Sequence, residues 1–313
     1  MRVKHSKSIS VLKRIYKRTS NRKLSSSDIS VLDFLWTWKV ASPKMLKLVA
    51  YPDKSDWWMY KAIRQLIAEN YIMPLPRGKY LDQEVLTLTQ LGFEIVLMDR
   101  DDITQYRYKP HAPAHDFLAT CLQLGDLWLS NWDKVFFTEQ MLASLRANNF
   151  PKNYVNGEGH VPDGITLLKN GLKSAAIGYE VDLNLKESDR YEETFNYYNQ
   201  LSDVQVVFWL VRNDWIAERI KKITSSCYGY DPKKNKFQFI RLEEFKKEIW
   251  STKVFSGSFA NLSIRKVHEN LMQSLGKMDA TLGQRNLIDT FFGKYKSPQK
   301  SKFCANIEIE KSY

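Results

Sequence analysis

The sequence predicts a chain of mixed α+β and α/β class with two domains: a small helical domain closed by a β-hairpin, then an α/β/α domain around a mixed central sheet. Three observations predict this. The chain has 313 residues, 43% of them apolar, which is enough for two hydrophobic cores. The apolar period changes from helical to strand-like at Tyr71 and again near His160. The β-branched run Val204–Val211 marks a strand buried on both faces, as in a sheet covered by helices.

The first helix starts at Ser25–Ser26–Ser27, where a hydroxyl can cap it, and buries Val31, Leu32, Leu35 and Trp36. A second starts at Ser42 with Pro43 in the first turn, where the missing N–H costs nothing, and turns Met45, Leu48 and Val49 inward. Ser55 caps a third helix running to about Asn70, with Met59, Ile63, Leu66 and Ile67 inward. Tyr71–Leu75 is a strand, Pro76–Arg77–Gly78–Lys79 a basic turn, and Val85–Leu88 the return strand. Thr89 caps a helix over Gln90–Met98.

Three helices and a basic-tipped hairpin over residues 25–100 are the order of a winged helix-turn-helix. The run Leu86–Thr87–Leu88–Thr89–Gln90–Leu91–Gly92 resembles the end of the wing in bacterial winged-helix regulators. On the third helix Trp57, Lys61, Arg64 and Gln65 lie opposite the buried stripe. There the cations suit guanine or phosphate and the glutamine suits adenine. Arg77 and Lys79 at the hairpin tip suit phosphate or the minor groove. A solvated face and a helical adaptor domain are the plainer alternatives.

A basic arm (1–24) precedes this domain, and a polar linker (101–113) ending near Pro110 and Pro113 follows it. The second domain spans 114–250. It reads as a helix Ala114–Leu129, a strand Lys134–Thr138, a helical stretch near Gln140–Arg146 and a polar loop 148–159. Strands Val161–Leu168 and Ala175–Leu185 follow around an Asn170–Gly171 turn. Then come a helix Glu187–Leu201 with Tyr191, Phe195 and Tyr198 on one stripe, the strand Val204–Val211, a helix Trp215–Ile223 and a last strand Phe237–Ile240. Residues 251–313 are a C-terminal extension, helical over Leu262–Leu275, with a Lys/Ser-rich tail.

Chemistry concentrates at Pro162–Asp163–Gly164 and Gly178–Tyr179–Glu180–Val181–Asp182. Hairpin spacing sets Asp163 beside Glu180. Two such carboxylates call for a cation, and an all-oxygen site suits Mg²⁺ or Mn²⁺, which can orient a water at a phosphodiester. Asp182, two residues on, shares the face of Glu180. Alternate polar residues on a strand can simply face water, and that is the plainer reading of Asp182. His115 and His160 suit capping or surface roles, and Asp116 is a weak further acid.

This constellation resembles the PD-(D/E)XK nuclease superfamily, the restriction-endonuclease-like fold, over about residues 112–245. The resemblance implies Asp163, Glu180 and Asp182 as catalytic positions and Asp163 and Glu180 as metal ligands. It departs from the pattern at Asp182, which stands where the family places a lysine. Lys186 has the right strand parity, but six residues of strand span roughly 20 Å, out of reach unless the chain bends. Lys173 is as far off in the other direction. A winged helix followed by such a domain resembles the replication-relaxation proteins of plasmids and mobile elements. Here the residues are His115, Pro162–Asp163, Glu180–Val181–Asp182 and Tyr191 to Tyr198. It implies DNA binding in plasmid maintenance or transfer.

The net charge of +12 is uneven: +9 over 1–24, 0 over 25–110, −2 over 111–250 and +5 over 251–313. Basic ends point to a polyanion, double-stranded DNA first, against the alternative of tails that only aid solubility. Cys121, Cys227 and Cys304 share no metal or redox spacing. No apolar run has the length of a membrane span and no signal peptide follows the basic start, so a cytoplasmic protein with no membrane partner is expected. The expected function is DNA binding with a Mg²⁺- or Mn²⁺-dependent endonuclease site that is active or degenerate. The alternative is a transcriptional or copy-number regulator whose α/β half only forms a homodimer or binds a partner.

Overall fold

The computed structural model describes residues 23–76, 81, 83–99, 108, 112–129, 134–144, 154, 160–170 and 173–276. Arg77, Lys79, nearly all of the basic arm and the C-terminal tail lie outside them. The chain forms two compact units whose boundary falls at Phe117/Leu118.

The first unit contains α1 (Ser26–Trp38), α2 (Pro43–Ala50), α3 (Asp56–Ala68), β1 (Ile72–Leu75), β2 (Val85–Leu88) and α4 (Gln90–Asp99). The caps fall where the hydroxyls are. Ser25 and Asp28 form a reciprocal box, the Ser42 hydroxyl accepts from Met45 N, and the Ser55 hydroxyl from Trp58 N. α3 stops at Ala68, two residues early, because Asn70 takes a positive φ of 60° that turns the chain into β1. β1 and β2 pair antiparallel from Ile72↔Leu88 to Leu75↔Val85, and Leu86 also bridges Ala41. Thr89 caps α4 through Gly92 N at 3.1 Å. A Cβ on Gly92 would lie 2.0 Å from the Tyr71 carbonyl oxygen, so this close approach of helix to strand requires glycine. Tyr108, in the expected linker, is part of this unit: its hydroxyl reaches Thr87 Oγ1 at 2.7 Å and Lys39 O at 2.5 Å, tying the end of α1 to β2.

α5 (Pro113–Leu129) crosses the boundary. The second unit continues with β3 (Lys134–Thr138), α6 (Glu139–Ser144), β4 (Gly164–Asn170), β5 (Lys173–Asp182), α7 (Ser188–Gln200), β6 (Val204–Val211), α8 (Asp214–Ser226), β7 (Phe237–Arg241), α9 (Leu242–Glu248) and α10 (Ile264–Ser274). One five-stranded mixed sheet runs in the order β3-β4-β5-β6-β7. The β3–β4 and β4–β5 pairs are antiparallel, and β5–β6 and β6–β7 parallel. β6 is apolar and buried at every position except Gln205, as expected of a central strand.

Tyr191, Phe195 and Tyr198 of α7 pack among Trp209, Phe237 and the side of β5 that carries Gly178, Glu180 and Asp182. Phe208, of opposite parity, stacks on His268 of α10 at 5.4 Å, and Trp250 reaches the Leu122 carbonyl at 3.3 Å. The sheet is therefore covered on both faces. The segment before α10 bridges the β7 edge at Phe239↔Ser256 and bridges to itself at Lys253↔Ser263, where the sequence carries no strand signal. Among the described residues no helix is long and apolar enough to cross a membrane.

Candidate functional site: an acid centre at one end of the sheet

Because β5 and β6 run parallel and β4 opposes them, the start of β4 and the ends of β5 and β6 share one end of the sheet. Asp163 precedes β4, and Glu180 and Asp182 close β5. The register Gly164↔Tyr179 sets Asp163 level with Glu180, and Asp163 Oδ2 accepts from Val181 N at 2.7 Å. Period 2 points Glu180 and Asp182 to the same face, and each is only 1% exposed. Asp182 is thus not a solvated strand residue, and the plainer alternative, that it simply faces water, is set aside.

Each acid meets a specific partner, as buried charge demands. Glu180 Oε1 accepts from His160 Nε2 at 2.7 Å and from the Tyr198 hydroxyl at 2.8 Å. Asp182 Oδ2 accepts from Trp209 Nε1 at 2.8 Å, and Asp182 Oδ1 pairs with Lys186 Nζ at 2.8 Å. The strand expected to run to Leu185 ends at Asp182 instead, and the chain bends at Leu183–Asn184. The Tyr191 hydroxyl accepts from Lys186 N at 2.9 Å and holds the bend. Lys186 therefore folds back onto the acid centre, and the 20 Å separation of a straight strand does not apply.

His160 supplies the second correction, since it lies inside the site. Its Nδ1 is 3.3 Å from Thr194 Oγ1, and that hydroxyl gives its own proton to Arg190 O at 2.8 Å. Both ring nitrogens therefore act as donors, the pattern of an imidazolium. Burial opposes that charge, but the charge and hydrogen bond of Glu180, with Asp163 behind them, outweigh burial and raise the His160 pKa. Burial pushes Glu180 up, aided by Asp163 and opposed by His160 and Lys186, so a proton on this pair is held tightly. For Lys186 burial opposes the charge, yet Asp182, Asp163 and Glu180 together drive its pKa above the ordinary lysine range.

In the sequence Tyr198 reads as part of a buried stripe and of the tyrosine-bearing helix of the resemblance, and Trp209 as part of a buried strand, whereas in the structure each donates to an acid. The available signal is Gly178. A Cβ there would sit 2.5 Å from Tyr198 Cε1, so the missing side chain is the space through which Tyr198 reaches Glu180.

The three carboxylates are hard oxygen donors of the kind Mg²⁺ or Mn²⁺ takes. Their arrangement does not fit such an ion: one oxygen of each already accepts, Asp163 Oδ2 from Val181, Glu180 Oε1 from His160 and Tyr198, and Asp182 Oδ2 from Trp209, while Asp182 Oδ1 is ion-paired with Lys186. Among the described residues no group of three or more His, Cys, Asp or Glu side chains is gathered to hold a metal. Asp116 is paired elsewhere, with Lys39 Nζ at 3.5 Å inside the first unit.

In the first unit Trp57, Lys61, Arg64 and Gln65 are all exposed on α3, Trp57 to 70%. Lys61 Nζ stands 5.2 Å from the Trp57 ring centroid, and Gln65 bonds Glu69 at 3.1 Å. No family model, no curated protein and no solved structure matches this chain.

Proposed function

We propose that the protein binds double-stranded DNA through the exposed face of α3. The three helices, hairpin and Ala41↔Leu86 bridge then serve as a winged helix-turn-helix, and the sheet unit is a restriction-endonuclease-like domain with an internally neutralised acid centre. The observation that carries this is the outward face of α3, where Trp57, Lys61, Arg64 and Gln65 are presented together opposite Met59, Ile63 and Leu66. Cations and an amide at this spacing suit phosphate and base edges in a major groove. The basic arm adds affinity without sequence selectivity. The short motifs that resemble replication-relaxation proteins support placing this activity on a plasmid or mobile element. A paired, buried acid centre suits a regulator of copy number or transcription.

Fluorescence anisotropy against duplex DNA over a salt series tests the proposal. Lys61→Ala with Arg64→Ala lowers affinity and flattens the salt slope by about 0.9 for each phosphate that is no longer neutralised. Unchanged affinity and slope sink the α3 interface.

A second reading, metal-dependent cleavage, has one observation in its favour, a lysine beside Asp182 where the resembled nuclease pattern has one, but it requires the pairs of the acid centre to open before an ion can bind. Supercoiled plasmid incubated with Mg²⁺ or Mn²⁺ separates the two. Nicking that Asp163→Ala abolishes establishes the second reading, and binding without nicking supports the first. No DNA binding at low salt overturns both.

A further inference from the structure

A cavity of about 270 Å³ lies where α7 ends and β7 begins, lined by Phe195 and Asn199 of α7, by Tyr230, Lys234 and Lys236 of the segment before β7, and by Phe237. It is just below the range of about 300–1,000 Å³ that encloses drug-sized ligands, so it takes one small ring system and leaves the rest of a ligand at its rim. One side is aromatic: the Phe195 ring is centred 6.1 Å from Tyr230 and 6.3 Å from Phe237. Phe195 and Phe237 are buried and Tyr230 is half-buried, so the Tyr230 ring stands at the opening.

The other side presents donors. Lys236 Nζ donates to Tyr198 O at 3.0 Å and to Leu201 O at 2.6 Å, which covers the carbonyl end of α7 that would otherwise repel an anion, and it keeps a third N–H. Burial lowers its pKa, opposed by Asp203, whose Oδ2 already accepts from the Tyr154 hydroxyl. Asn235 Oδ1 accepts from Phe237 N at 3.0 Å, which leaves the amide NH₂ to donate. The acid of the lining is Asp231. Its Oδ1 accepts from Lys233 N at 2.9 Å and its Oδ2 lies 3.9 Å from Lys234 Nζ, so Lys234, 85% exposed, is held loosely. Glu192, which acts on Cys227 from α7, offsets part of the positive charge.

We propose that this cavity binds a single nucleotide, with its base against the Tyr230 ring and its phosphate on Lys234 and Lys236. The aromatic side suits the flat face of a base, and Asn199, exposed at the rim, offers the amide that reads a base edge. Two ammonium groups suit the phosphate through charge-assisted bonds. An uncharged ring leaves those donors unpaired, and inorganic phosphate leaves the aromatic side uncovered. A free nucleotide and the phosphorylated end of a DNA strand share this chemistry. The site belongs to the sheet unit and does not rest on the α3 interface.

Isothermal titration calorimetry of the full chain with dAMP, dGMP, dCMP and TMP tests this, with the four nucleosides and inorganic phosphate as controls. At least one nucleotide binds with a Kd below about 1 mM, and its nucleoside and inorganic phosphate each bind about tenfold more weakly or worse. Tyr230→Ala weakens the nucleotide about fivefold or more through lost stacking, and Tyr230→Phe restores it. Lys234→Glu weakens it about as much through the phosphate, and leaves the melting temperature unchanged because the side chain is exposed. A 5′-phosphorylated oligonucleotide that begins with the preferred base separates the two sources. Tighter binding than the free nucleotide assigns the strand end, equal binding assigns the free nucleotide, and both keep the site. No nucleotide binding below about 1 mM overturns the inference. So does inorganic phosphate binding as well as the nucleotide, or an affinity that neither Tyr230→Ala nor Lys234→Glu changes.

Discussion

Gly178→Ala tests the close approach on which the acid centre depends. The added Cβ would lie 2.5 Å from Tyr198 Cε1, 2.8 Å from its hydroxyl oxygen and 2.9 Å from Cζ. Ordinary carbon contacts are about 3.5–4.0 Å, so the ring must retreat by about 1 Å. It has nowhere to go: Tyr198 is fully buried, with the rings of Tyr197, His160 and Phe237 centred 5.1, 6.0 and 6.2 Å away. Overpacking costs about 1–3 kcal/mol, and displacing the hydroxyl from Glu180 costs about 1.5–3 kcal/mol more. Alanine recovers about 0.5–1 kcal/mol of backbone entropy in a strand. The expected net loss is about 2–5 kcal/mol, read from urea unfolding by circular dichroism. In a Tyr198→Phe background the same change costs less by about 1.5–3 kcal/mol, because the hydrogen bond is already gone. A loss below about 0.5 kcal/mol in the wild-type background refutes the claim that glycine makes room for the Tyr198–Glu180 bond.

Lys186→Met removes the partner of a carboxylate that is 1% exposed, while the lysine side chain is itself 44% exposed. A buried pair costs about 3–5 kcal/mol to break; solvent at the lysine end and the remaining Trp209 donor reduce this to about 1–2 kcal/mol. Urea unfolding measures it, and no change would mean that the bend does not deliver Lys186 to Asp182. His160 predicts a pH dependence. Its folded pKa is raised, so its contribution to stability is complete below the unfolded value near 6.5 and is lost as pH rises through the folded value. The difference in unfolding free energy between wild type and His160→Asn therefore shrinks from pH 6 toward pH 8.5, and a constant difference contradicts the imidazolium.

Much of the fold was legible because its signals are local. Ser25, Ser42 with Pro43, Ser55 and Thr89 each mark a helix start, since capping acts within three residues. The apolar run of β6 shows its burial directly. The acids were legible too, because antiparallel register follows from hairpin spacing. Local reasoning fails where the partner comes from another element. His160 reads as a lone surface histidine until β5 and α7 close around it. The bridges of residues 253–263 carry no alternation to betray them.

Residue order alone specifies most of the helices and strands, the placing of Asp163 level with Glu180, and the aspartate at position 182 where the nuclease pattern it resembles has a lysine. What that departure means depends on how the chain packs. Over four residues a straight strand would set the Lys186 Cα roughly 13 Å from that of Asp182, whereas the bend at Leu183–Asn184, held by the Tyr191 hydroxyl, brings its Nζ to 2.8 Å from Asp182 Oδ1. Periodicity fixes the face of a side chain but not where the chain reverses. That depends on a tyrosine five residues onward in the sequence, on a helix that is held in place only by packing against the sheet.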